Sequence, residues 1–252
     1  GMINTDASGQ GSLVYGKTSD HVLELTSVLM RGEVLHTKTE ATAGSSYEKG
    51  SESALITSQV GLICRDNRKL ILERFPRLNR FLTGYDLEHV YNDDLSEFNL
   101  SRILTGSEGS LAFISEAKLN LTKIPKLRTL VNIIYDSFNS ALRDAPTLVK
   151  AHATSVETVD SKVLGLAKKD IVWNTVSDLI PQCHDKVTDG LNMVEYASND
   201  PVVQKQRIDQ LCSRLDNDIA TENGGILGYQ ICDELGQILR IYNMRKKSVG
   251  LL

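Results

Sequence analysis

The chain has 252 residues, with 28 Lys and Arg against 32 Asp and Glu, a net charge of −4. Hydrophobic residues make up 41% and charged residues 24%, an ordinary globular composition that excludes a disordered or fibrous chain. The acidic excess argues against general nucleic-acid binding, no apolar run approaches the roughly 20 residues that span a bilayer, and no signal peptide is evident.

In chain order, residues 1–11 are turn-rich, and strands are predicted over 21–29 and 33–37, joined by a turn at Gly32. Residues 39–53 read as loop, 54–74 as one helix that Pro76 ends, 100–104 as a short helix and 110–121 as a strand. The second half alternates more regularly: strands over 127–135, 155–159, 191–197 and 228–232, helices over 137–150, 161–168 and 200–220, the last with Asp200 as N-cap and Pro201 at N1. The spacing of Ile238, Ile241, Tyr242 and Met244 predicts a final helix still running at Leu252, so the chain reads as a piece of a longer protein. The change in rhythm near Pro125 predicts two units, 1–123 and 124–252. The second is expected to be a split βαβ, ferredoxin-like sheet covered by helices on one face.

Cys64, Cys183, Cys212 and Cys232 form no Cys-x-x-Cys pair, and the five histidines are scattered, so no chain-local metal site is expected. Four unclustered cysteines suit a reducing compartment. Two glycine-rich turns are the chemistry-bearing features: Thr5-Asp6-Ala7-Ser8-Gly9 continuing to Tyr15-Gly16, and Gly106-Ser107-Glu108-Gly109. Small residues admit a ligand close to the backbone, and exposed N–H groups can cradle anionic oxygens. Taken singly, each turn reads better as a tight loop between packed elements, and neither matches a Walker A loop or a Gly-x-Gly-x-x-Gly fingerprint. Trp173 is expected in the core or an interface, Glu157 and Asp160 in solvated or capping roles, and Asp93-Asp94 in a solvated turn.

Taken in order, 1–9, Tyr15-Gly16, 20–23 and 32–35 resemble the second half of the FAD-binding domain of FAD-linked oxidases, the flavoprotein family of vanillyl-alcohol oxidase and p-cresol methylhydroxylase. Thr83-Gly84-Tyr85-Asp86-Leu87 and the run 103–117 are similar to the D-lactate, glycolate and D-2-hydroxyglutarate dehydrogenase branch, and within it to long bacterial proteins that fuse the flavin domain to an iron–sulfur domain. The resemblance implies an α+β fold. Residues 1–123 would be the C-terminal half of a p-cresol methylhydroxylase-type FAD-binding domain, and 124–252 a ferredoxin-like substrate, or cap, domain incomplete at its C-terminus.

It further implies an FAD-dependent dehydrogenase of the D-lactate or D-2-hydroxyglutarate type, passing hydride from a small 2-hydroxy acid to flavin and electrons to an acceptor the sequence does not identify. An iron–sulfur cluster would sit in another domain, and the catalytic His and metal-binding His/Glu cluster would lie beyond Leu252. The protein would be cytoplasmic, peripheral to the inner membrane. Thr5, Asp6, Ala7, Ser8, Gly9, Tyr15, Gly16, Gly106, Ser107, Glu108, Gly109 and Ile114 would line the FAD site. Asp6 and Ser8 depart from the family's usual Asn and Gly, and an acid beside a pyrophosphate must be hydrogen-bonded or turned away. Tyr242-Asn243-Met244-Arg245 resembles the aromatic-x-x-Arg element whose Arg binds the substrate carboxylate. The residue-level alternative for Arg245 is a basic helix end with Lys246 and Lys247. The alternative for the whole chain is a standalone α+β ligand-binding or dimerisation module without flavin. The 252 residues alone are expected to hold FAD weakly or not at all.

Overall fold

A computed structural model of the chain describes residues 1–76, 78, 84–183 and 185–250; Thr83 of the 83–87 run and Leu252 at the predicted helix end lie outside them. The chain divides into two units, Gly1–Thr122 and Lys123–Leu252.

The first unit opens with two single-turn helices, too short to show a periodicity, α1 (Ser12–Tyr15) and α2 (Thr18–His21). β1 (Val22–Val28) and β2 (Val34–Thr37) form the predicted hairpin, closed where Leu29 N–H donates to Glu33 O and Gly32 N–H to Leu29 O, both at 2.9 Å. The expected loop 39–53 contains a two-residue strand, β3 (Thr39–Glu40). It leads to α3 (Glu52–Asp66), whose N-terminus is capped twice: Ser51 Oγ accepts from Ala54 N–H, and the Glu33 carboxylate accepts from Glu52 and Ser53 N–H.

The single helix expected over 54–74 is two. α3 stops at Asn67, and α4 (Arg68–Arg74) resumes after it. The Asn67 amide donates to Ile63 O at 2.9 Å, a local side-chain bond that competes with helix continuation. The inward face of α3 is built of small and polar residues and not of its large apolar ones. Ser53, Thr57, Gly61 and Cys64 are buried, while Leu55 and Ile63 are exposed. A Cβ on Gly61 would lie 2.5 Å from Ala43 Cβ, so this close approach needs small residues. A 3₁₀ turn at Glu88–Val90, β4 (Phe98–Asn99, paired with β3), α5 (Ser101–Leu104) and β5 (Phe113–Leu119) complete the unit. Its sheet order is β2-β1-β5, antiparallel throughout, over a core containing Leu25, Leu35, Val90 and Phe98.

The second unit runs β6 (Leu127–Tyr135), α6 (Phe138–Lys150), β7 (Ser155–Asp160), α7 (Ser161–Lys169), a 3₁₀ turn Ile171–Thr175, β8 (Gly190–Ser198), α8 (Pro201–Ala220), β9 (Ile226–Cys232) and α9 (Leu235–Val249). Its sheet order is β7-β8-β6-β9, with every neighbouring pair antiparallel. β6 and β7 are joined through α6 with β8 between them, the split βαβ of a ferredoxin-like sheet. Asp200 caps α8 as the sequence predicts, accepting from Val202 N–H at 2.8 Å.

One expectation is corrected: helices cover both faces of this sheet. Val131, Ile133 and Tyr135 of β6 pack with Ala141 and Leu148 of α6 and Leu211 and Leu215 of α8. Leu130 and Ile134 pack on the other side with Val163, Leu164 and Ala167 of α7 and Ile238, Ile241 and Met244 of α9. The physical reason is legible in the strand itself: 130–135 is almost continuously apolar, the pattern of a strand buried on both faces.

Candidate functional site

The two glycine-rich turns, far apart in sequence, build one structure. Residues 1–7 coil on themselves: Asp6 N–H donates to Ile3 O at 3.1 Å and Ala7 N–H to Met2 O at 3.0 Å. The later turn is laced onto this coil, with Gly106 N–H donating to Ile3 O at 2.9 Å and Glu108 N–H to Asn4 O at 2.8 Å. Gly106 has φ +81°, and a Cβ there would meet Asp6 Cβ at 3.2 Å, so the junction requires glycine for both conformation and space. Ser107 is buried and donates to Leu104 O at 2.8 Å; Glu108 and Gly109 are exposed beyond it.

A cleft of about 670 Å³ runs between this coil and β5. Ala7, Gly16 and Ile114 of the sequence-expected residues line it, together with Asn4, Lys17, Thr18 and His21, which sequence reasoning missed. The other expected residues support the coil. Thr5 Oγ1 donates within it, Gly9 N–H donates to Ser12 Oγ at the start of α1, and the Tyr15 carbonyl meets His21 Nε2 at 2.8 Å. Ser8 is half-buried between them.

Asp6 answers the sign problem that its charge posed. Its carboxylate is buried and bound at 2.7 Å by Lys17 Nζ, at 2.7 Å by Ser19 N–H and at 3.1 Å by Ser19 Oγ. Lys17 in turn lies 3.6 Å from Asp86, whose other oxygen is 2.7 Å from His89 Nδ1. The hydrogen bond to Asp86 raises the His89 pKa against the opposing effect of burial. Burial would raise Asp86, but the His89 and Lys17 partners outweigh it and hold its carboxyl below the usual range. No sequence spacing announces this four-member chain; only the charge of Asp6 stands out in advance, without its partners.

In the second unit, α9 sets Tyr242 and Arg245 one turn apart over the sheet. Arg245 Nη2 pairs with Glu157 Oε1 of β7 at 2.9 Å, so it is an ion-pair donor and not merely a basic helix end. The Tyr242 hydroxyl donates to Glu195 Oε2 of β8 at 2.6 Å, and Arg128 grips the same carboxylate with two bonds of 3.1 and 2.8 Å. Burial, then Glu195, raises the Tyr242 pKa, keeping its proton on the phenol. Asp160 caps α7 as expected, through Val163 N–H at 2.8 Å, but Glu157 is neither solvated nor a cap. Trp173 packs partly buried on the α7–α9 side of the core, and Asp93 and Asp94 are exposed.

Two features along the first-unit cleft leave polar groups open to a ligand. β5 pairs only with β1 among the described residues, which leaves peptide groups along its other edge. Asn4 Oδ1 is buried there with no hydrogen-bond partner. Among the described residues no three His, Cys, Asp or Glu side chains gather as a metal site, and no helix is long and apolar enough to cross a membrane.

The chain is 58% identical over 254 residues to D-2-hydroxyglutarate dehydrogenase of Pantoea ananatis and 56% identical over 254 residues to that of Escherichia coli K12. Each match covers 100% of this chain and 25% of the relative, so the chain spans a quarter of the length of the relatives it matches. An alkyldihydroxyacetonephosphate synthase structure shares the fold with TM-score 0.53 at 12% identity, over 96% of this chain and 35% of that one. Residues 124–252 match the family described as FAD linked oxidases, C-terminal domain, and the chain belongs to that family.

Proposed function

We propose that this chain forms part of the flavin wall and part of the substrate side of an FAD-dependent dehydrogenase acting on D-2-hydroxyglutarate or a close 2-hydroxy acid. What carries the reading is the end-to-end likeness to the D-2-hydroxyglutarate dehydrogenases. Bound FAD would supply the two-electron acceptor: the alcohol gives hydride from C2 to the flavin and its hydroxyl proton to a base, leaving the 2-oxo acid.

Within the chain, Ala7, Gly16 and Ile114 would face the cofactor. Thr5, Asp6, Ser8, Gly9, Tyr15 and the Gly106–Gly109 turn would keep that wall in shape. Arg245 would receive a substrate carboxylate, since a planar guanidinium fork suits two-point binding. No residue of this chain is assigned as the base. An iron–sulfur cluster and the electron acceptor belong to the proposal for the whole protein, outside these residues. Cytoplasmic placement is also part of it, supported by four cysteines that are all free thiols. The full-length gene product, purified with its flavin, should lose flavin absorbance on anaerobic addition of D-2-hydroxyglutarate and regain it with an electron acceptor. Retained absorbance in a flavin-loaded, folded preparation would rule D-2-hydroxyglutarate out, and retained absorbance with D-lactate as well would rule out the 2-hydroxy-acid class.

A further inference from the structure

Two carboxylates stand side by side beneath α9. Glu157 lies opposite Met193 and Glu195 opposite Ser155 in the β7–β8 pairing, which makes the two acids diagonal neighbours. Each grips one residue of the Tyr242-x-x-Arg245 element: Glu195 accepts from Tyr242, and Glu157 forms an ion pair with Arg245. They differ in what remains. Glu195 is also paired two-fold with Arg128. Glu157 has Arg245 as its ion-pair partner, and its second oxygen, Oε2, is buried without a hydrogen-bond partner among the described residues. The Glu157 side chain is 13% exposed and that of Arg245 39%, so the acid is fixed in the sheet while the guanidinium reaches solvent.

A guanidinium carries five N–H donors in one rigid plane. Spending Nη2 on an acid anchored in a strand fixes that plane and leaves donors for an incoming group. An arginine without such an anchor near a helix end would have to be ordered by each ligand it binds. We propose that Glu157 is the positioning residue of the substrate site: it holds Arg245 so that the open part of the fork receives the carboxylate of the 2-hydroxy acid. This rests on the reading of Arg245 given above. Glu157 itself touches no substrate.

The test uses the flavin-loaded full-length gene product with D-2-hydroxyglutarate. Arg245→Lys should raise KM about tenfold or more. Glu157→Gln should raise KM about fivefold while kcat stays within about twofold and flavin content is unchanged. In an Arg245→Met background, Glu157→Gln should change KM no further, because its effect passes through the arginine. A rise confined to the Arg245 variants overturns the role of Glu157 and leaves Arg245 standing. Wild-type KM in both single variants overturns the Arg245 reading and the inference with it. A Glu157→Gln effect that persists without Arg245 marks a general structural disturbance and also overturns the inference. Should Glu157→Gln fail to fold, Glu157→Asp, which keeps the charge but withdraws it by one methylene, is measured in its place with the same split expected.

Discussion

His89 and Asp86 form the titratable end of the chain of charges that begins at buried Asp6 and passes through Lys17, the His89 ring being itself half exposed. His89 is raised above its ordinary 6.5 by the Asp86 hydrogen bond, so its contribution to folding is complete below pH 6.5 and is lost as pH rises through the folded-state value. Asp86 is lowered from 3.8, so its contribution is present above pH 3.8 and is lost as pH falls through its folded-state value. These two groups together favour the window between 3.8 and 6.5. Urea midpoints should be highest in this window and fall as pH rises above 6.5, and His89→Gln should flatten that fall; an unchanged slope would show that the pair does not govern it. The members of this chain could not be read in advance, because partners such as Lys17 and Asp86 are brought together only by the fold. Glu157 escaped for the same reason: a solvated or capping role was expected of it, while its actual partner lies on the last helix. The glycine turns, by contrast, were legible through the family resemblance, since a backbone that must take φ near +80° at Gly106 leaves its trace in residue type.

At the scale of elements, caps and strands followed local rules and breaks did not. Ser137, Asp160 and Asp200 each accept from the first turn of the helix that follows, at 3.1, 2.8 and 2.8 Å, and all three helices start where the sequence places them, to within a residue. The interruption at Asn67 was hidden because Asn is tolerated within helices and only its side-chain bond to Ile63 O reveals the competition. The cover on both faces of the second sheet was present in the apolar run of β6 but was outweighed by counting helices. α6 carries a different anomaly, an exposed proline at position 146 within its span. A proline there removes a backbone N–H from the helix ladder and crowds the preceding turn. Pro146→Ala should therefore stabilise the second unit by about 1–3 kcal/mol, read from urea denaturation. A neutral or destabilising result would mean that the helix end has already adapted to the ring.

At the scale of the molecule, the two sheets treat their strands differently. Among the described residues β5 has one neighbour, β1, and every residue from Phe113 to Leu119 except Ile114 is exposed, with Phe113 at 73%. β6 has a neighbour on each side, β8 and β9, and helices over both faces; Leu130, Val131, Ile133, Ile134 and Tyr135 are at most 1% exposed. Backbone amides in such a strand have no local route to solvent, since fraying one edge or lifting one helix still leaves the other side closed. In heavy water, the deuterium uptake of 130–135 should accordingly be the slowest in the chain, and its rate should report the global opening of the second unit. Uptake along β5 should be complete many-fold sooner. The central strand thus acts as an internal clock for unfolding, readable by mass spectrometry without any assay of flavin or substrate.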